Sequence, residues 1–237
     1  MNIVAKPSSL YRVSEVITNR LKDNNVRYHA SDNIADYMSD EEKNQLVEEL
    51  TVDFERVLQT LIIDTDTDPN SADTARRLAK MYVWELFAGR YSSRPKATSF
   101  PNVGKQKFTG MLVARADIKS MCSHHHQPVR GVCFIGIIPN ENVIGLSKYT
   151  RIAQWCARRG TLQEDLCNII AKEIMDATNT ENVAVYIAAK HGCMENRGVE
   201  SYNSLTQTAV VHGLFQNSSV KDEFFSHVKM QQAGVEF

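Results

Sequence analysis

Apolar residues recur at helical spacing through the first part of the chain. Leu10, Val13, Val16, Ile17 and Leu21 fall on one side of a helix over residues 8–25, and the polar stretch 22–33 reads as a linker. Ser39-Asp40-Glu41-Glu42 announces a second helix, because the hydroxyl can cap free N–H groups and the acids sit at the positive end of the helix dipole. Beyond it Val47, Leu50, Phe54, Val57, Leu58 and Leu61 form one apolar face, which needs a partner. Residues 64–72, rich in Asp, Thr and Asn around Pro69, read as a loop, and a further helix over 74–87 ends near Gly89.

After Pro101 the pattern turns β-branched and alternating. Residues 110–118 and 129–138 read as strands, and Pro139-Asn140-Glu141-Asn142 makes a hairpin-like turn before a short strand over 143–146. Helices over 148–159 and 161–177 follow, the second with Leu162, Leu166, Ile169, Ile170, Ile174 and Ala177 on one side. Strands return over 183–188 and 205–211. The order predicts an α+β fold, an antiparallel sheet with two helices on one face, preceded by N-terminal helices. The division falls near residue 100, giving a helical region 1–100 and a sheet domain 101–237.

Composition narrows the class. The chain has 237 residues, 43% of them hydrophobic, enough for one large core, and a formal net charge of −1 gives no reason to expect a nucleic-acid or membrane surface. No apolar run approaches the roughly 18 residues of a spanning helix, and residues 1–10 lack the apolar stretch of a secretory signal. Five cysteines without framework spacing fit a reducing compartment, with Cys133, Cys156 and Cys167 as buried thiols. A cytoplasmic protein is expected.

The candidate chemistry lies in Cys122-Ser123-His124-His125-His126, answered far along the chain by His191-Gly192-Cys193. A thiolate, an imidazole from the histidine run and a second, distant thiolate supply three ligands suited to zinc and leave a fourth position for water, the pattern of a catalytic site. Taken alone, three histidines fit a solvated loop and one cysteine a buried thiol. The distant His-x-Cys favours the metal, without deciding among His124, His125 and His126.

Several blocks together resemble a known family. Cys122-Ser123-His124-His125, Ile144-Gly145-Leu146-Ser147-Lys148, Gln163-Glu164, and His191-Gly192-Cys193 followed by Arg197-Gly198-Val199 are similar to the signature segments of GTP cyclohydrolase I, in order and spacing. The likeness runs from the N-terminal helices through the closing Gly213-Leu214-Phe215, over most of the chain, and includes the helix Thr74-Ala75-Arg76-Arg77-Leu78-Ala79-Lys80-Met81. It implies the tunnelling fold, with residues 101–237 as the catalytic domain, and a homodecamer of two pentameric rings whose sheets join into a barrel, with active sites between subunits.

The resemblance also implies a chemistry. Cys122, His125 and Cys193 would hold Zn2+, which lowers the pKa of bound water so that it attacks the imidazole carbon of GTP. That carbon leaves as formate, and rearrangement gives 7,8-dihydroneopterin triphosphate for pterin, folate or 7-deazaguanine synthesis. His124 and His191 match the family's catalytic histidines, His191 protonating the purine nitrogen and His124 assisting ring opening at the sugar. Gln163 would lie beside the zinc-bound water. Glu164 would accept from the guanine edge, Ser147, Lys148, Arg151 and Arg197 would hold the triphosphate, and Arg77 would come from a neighbouring subunit. Ser147 would also serve the proton transfers of the sugar rearrangement.

The chain departs from the family pattern at several places. Ser123 stands where glutamate is usual, His126-Gln127 replaces apolar or aromatic residues, and Ala188 replaces a common acid. Glu195-Asn196 lies where bulky or basic residues are common, and Ala75 where proline is frequent. Loss of the acid at Ser123 bears on turnover and on completion of the later steps. An enzyme that stops early or takes another purine nucleotide, and a non-catalytic nucleotide binder, are the alternatives.

Overall fold

The computed structural model describes residues 12–233. They divide into two compact units, one ending at Ser93 and one starting at Arg94.

The first unit is helical. Helix α1 spans Val13–Asp23, so the start of the helix expected over 8–25 lies outside the described residues. A 3-10 turn, Ala35–Tyr37, leads to α2, Asp40–Thr60. The Ser39 hydroxyl caps its start as expected, and the structure adds the reciprocal half of a capping box: the Glu42 amide donates to Ser39 Oγ at 3.1 Å, and the Ser39 amide donates to Glu42 Oε2 at 2.8 Å. Arg20 from α1 donates to both Glu42 carboxylate oxygens, at 2.7 and 3.0 Å. Those hydrogen bonds hold the Glu42 carboxyl down at about 2. The cores are small, with Val13, Ile17 and Leu21 against Ile34 and Met38, and Val47 against Ala79 and Val83. The expected apolar face of α2 is only partly covered within this unit, because Val57 and Leu61 are exposed. The helix expected over 74–87 proves to be α3, Thr74–Lys80, continued by a π-helical stretch, Met81–Leu86, before a short α4, Ala88–Tyr91. The π stretch adds a residue per turn and rotates the following side chains, a change of phase that hydrophobic spacing does not reveal.

The second unit is built on a sheet. Strand β1, Ser99–Pro101, precedes β2, Leu112–Met121, and β3, Pro128–Ile137, which pair antiparallel with Met121 opposite Pro128. Strand β4, Asn142–Ile144, pairs with β1 rather than folding back on β3, contrary to the hairpin expected at Pro139. Helices α5, Leu146–Ala157, and α6, Gln163–Thr178, follow, then β5, Val183–His191, and a one-turn helix α7, Gly192–Glu195. Strand β6, Thr206–Val211, completes a four-stranded antiparallel sheet in the order β2-β3-β5-β6. A 3-10 turn, Gly213–Gln216, leads to α8, Ser218–Gln232.

Strand alternation gives this sheet two faces. Cys133, Ile135 and Ile137 of β3 and Val183, Val185 and Ile187 of β5 point toward α5 and α6, where they pack with Ile152, Cys156, Ile170 and Ile174. Val132, Phe134, Ala184 and Tyr186 point the other way, against Phe215, Phe224 and Val228. The sequence pattern did not foresee α8, so the sheet is covered from both sides and not from one. Gly136 makes room for it, since a Cβ there would come within 2.6 Å of the Phe224 ring.

Candidate functional site

The loop between β2 and β3 carries Cys122 and the histidine run. It closes on itself: the Cys122 amide donates to the Gln127 carbonyl and the His126 amide to the Cys122 carbonyl, both at 2.9 Å. His126 takes a left-handed φ of 49°, which lets the chain turn back into β3. Cys122 is buried, whereas His124 and His125 are exposed, their rings edge to face with centroids 6.3 Å apart.

The second half of the site comes from the end of β5, which runs three residues beyond the expected 183–188 and so carries His191. His191 pairs in register with Val129, next to the loop. The chain then turns into α7, where the Gly192 backbone packs so near Pro128 that a Cβ would stand 3.1 Å from its ring and carbonyl. This brings Cys193 Sγ to 4.0 Å from Cys122 Sγ. Burial, and then the nearby Cys122 sulfur, push the Cys193 thiol up. The other thiols are different in kind. All five cysteines are free, but Cys133, Cys156 and Cys167 lie inside the core, where burial raises Cys156 to about 12 and Cys167 to about 11.

His125 does not join the two sulfurs in this conformation. Its Nε2 lies 3.1 Å from Arg197 Nη1, and among the described residues no three His, Cys, Asp or Glu side chains converge as a metal site. The two sulfurs nonetheless have the right separation for one tetrahedral metal, for which Zn–S bonds of about 2.3 Å put them about 3.8 Å apart. Two thiols with a nearby imidazole make a donor set that suits zinc.

His191 is held by Gln163, the first residue of α6 and a buried one. The Gln163 amide nitrogen lies 3.2 Å from the Ile187 carbonyl, 3.1 Å from the Thr206 carbonyl and 3.0 Å from Thr208 Oγ1. Two of these partners can only accept, so the amide orientation is fixed and Gln163 Oε1 is the atom 2.7 Å from His191 Nε2. That oxygen cannot donate. His191 therefore carries a hydrogen on Nε2, and Nδ1 is the atom left to take up or pass on a proton. Burial lowers the His191 pKa, while Glu164 and Glu195 push it back up. Gln163 was expected beside a metal-bound water, and it is found against His191. Thr208, which helps to aim it, gave no signal in the sequence, because its role depends on pairing across β5 and β6.

The remaining expected residues fall in three places. Glu164 is exposed on the first turn of α6, close enough for its charge to act on His191. Ser147, Lys148 and Arg151 lie at the start of α5, which has no side-chain cap, and Lys148 and Arg151 form no ion pair among the described residues. Free helix N–H groups beside cations suit a phosphate. Arg197 is exposed and engaged with His125, while Arg77 belongs to the helical unit, where it pairs with Asp73 at 3.2 Å.

Comparison with known proteins covers the part of the chain that carries these residues. The family model described as GTP cyclohydrolase I matches residues 50–229. A GTP cyclohydrolase 1 of Flavobacterium johnsoniae is 38% identical over 195 residues, 81% of this chain and 85% of the relative. That of Yersinia enterocolitica is 38% identical over 190 residues, covering 79% and 83%. That of Blochmanniella pennsylvanica is 37% identical over 176 residues, covering 73% and 78%. With the match spanning both the cysteine-histidine loop and the Gln163–His191 pair, the chain belongs to the GTP cyclohydrolase I family.

Proposed function

We propose that this protein is a zinc-dependent GTP cyclohydrolase I, converting GTP and water to 7,8-dihydroneopterin triphosphate and formate. The observation that carries the reading is the meeting of Cys122 and Cys193 at 4.0 Å, on a strand end whose His191 is held at 2.7 Å by a buried glutamine.

Cys122, Cys193 and His125 would hold the zinc, His125 giving up its contact with Arg197 to do so. Bound zinc supplies a Lewis acid that makes water nucleophilic near neutral pH. The chain's own groups do the rest. His191, pinned through Nε2–H to Gln163, passes a proton from Nδ1 to the purine nitrogen as the imidazole ring opens, and Gln163 keeps the imidazole from rotating. Glu164 accepts from the guanine ring and amino N–H groups, which fixes the purine edge. Lys148, Arg151 and Arg197 neutralise the triphosphate, with the Ser147 hydroxyl and the start of α5 as further donors. His124 and Ser147 serve the proton transfers at the ribose.

Assembly as a homodecamer of two pentamers fits the sheet, whose outer strands β2 and β6 have no partner on their outer edges among the described residues. Arg77 then enters the site of a neighbouring subunit. Five free thiols, and no helix among the described residues long and apolar enough to cross a membrane, accord with a cytoplasmic enzyme of pterin, folate or 7-deazaguanine synthesis. Incubation of the zinc-loaded protein with GTP tests the reading, with formate and the fluorescence of the oxidised pterin followed together. Both signals are expected. Formate without pterin would show a reaction halted before rearrangement or reclosure, and neither signal, with zinc confirmed bound, would overturn the proposal.

A further inference from the structure

We propose that the sheet face turned away from α5 and α6 carries a binding site for an oligophosphate anion, seated on a row of cations that crosses three strands. The register sets Lys119 of β2 directly opposite Arg130 of β3, and Arg130 directly opposite Lys190 of β5. Directly opposed side chains stand about 4.5–5.5 Å apart at Cβ, so three like charges in one row repel one another. No carboxylate on β3 or β5 relieves them, because the next rung places Val132 and Ala188 beside Asp117.

A cavity of about 500 Å³ opens over this row. Its charged lining is Arg115, Lys119, Arg130 and Lys190 against Asp117 and Glu195. Both acids are already engaged, Asp117 with Arg115 at 3.5 Å and Glu195 with Lys190 at 3.8 Å. Lys119 and Arg130 form no ion pair among the described residues. Two of the four positive charges, those of Lys119 and Arg130, are thus unmatched inside a concavity of small-molecule size.

The width of the row selects the ligand class. Lys119 and Lys190 lie two strand spacings apart, about 10 Å. Linked phosphates spread their charge over that span and meet the three cations where they stand, whereas a single phosphate requires the like-charged side chains to converge. The location is separate from the catalytic reading and does not rest on it, since Lys190 and His191 are consecutive in β5 and project to opposite faces.

The test uses inorganic pyrophosphate and calorimetry on a Lys148→Gln/Arg151→Gln chain, which removes the phosphate-binding cations of α5. Pyrophosphate is expected to bind this chain still. Adding Lys119→Gln and Arg130→Gln should weaken binding by about tenfold or more, and adding Asp117→Asn instead should tighten it. Without anion, the Lys119→Gln/Arg130→Gln chain should melt at the same or a higher temperature than its parent, because repulsion in the row is relieved. Competition by ATP would place the oligophosphate on a nucleotide, and failure of ATP to compete would assign the site to free oligophosphate. Absence of binding in the α5 variant, unchanged affinity after loss of Lys119 and Arg130, or a lower melting temperature without anion would each overturn the proposal, the last by showing that these cations are paired with protein carboxylates.

Discussion

The two faces of the four-stranded sheet follow different rules. Toward α5 and α6 the surface is apolar, and two polar side chains that enter it are matched, Gln163 by three acceptors and His191, and Ser120 by the Ala157 carbonyl at 2.7 Å. Away from those helices, apolar residues lie under α8, and past that cover Lys119, Arg130 and Lys190 face one another, Lys119 and Arg130 with no ion pair among the described residues. One alternation therefore serves two chemistries. Because side chains switch sides at each residue, a slip of one position in β5 would send His191 to the basic face and Lys190 to the catalytic one. The closed packing at Gly192 and the Gln163 hydrogen bonds hold the register where it is needed.

The largest expected effect comes from breaking the catalytic side at its metal. Cys193→Ser should lose bound zinc and lower formate release by roughly three orders of magnitude or more, measured by metal analysis and single-turnover assay on the same sample. His191→Ala should keep zinc and lose about 10²–10⁴-fold in kcat; full activity in that variant would sink the catalytic assignment. Phe224→Ala acts on the other face. It empties a buried site under α8 and should cost about 3–5 kcal/mol in urea unfolding, while zinc affinity and activity per folded molecule stay close to wild type.

The smallest effect lies outside the sheet and calibrates the others. Arg20 holds the Glu42 carboxyl at about 2, below its unfolded value, so this contribution is complete above about pH 5 and fades as the pH falls through 2. Glu42→Gln should cost about 1 kcal/mol at pH 7 and almost nothing at pH 2, in paired denaturant titrations.

Local signals were the legible ones. The Ser39 cap, the alternation of β3 and β5 and the apolar sides of α5 and α6 depend on neighbours in the chain, and they appear close to where the spacing placed them. The pairing of β4 with β1 was not legible, because it joins segments separated by β2 and β3. Nor was α8: its buried residues are only Phe224 and Val228, too sparse a stripe to stand out among polar neighbours. In the site, spacing pointed to Cys122 and Cys193 before their 4.0 Å approach was seen. The contact of His125 with Arg197 and the aiming of Gln163 by Thr208 arise only from the fold, since each partner lies on a distant segment.

On this reading two sulfurs and one imidazole hold zinc beside His191. Zinc K-edge absorption on the wild-type chain carrying one equivalent of metal tests it most directly. The account predicts two sulfur ligands at about 2.3 Å with the remaining positions nitrogen and oxygen, and one sulfur fewer in Cys193→Ser if any zinc is retained. A wild-type shell made only of nitrogen and oxygen would place the metal on the histidine run and contradict the account.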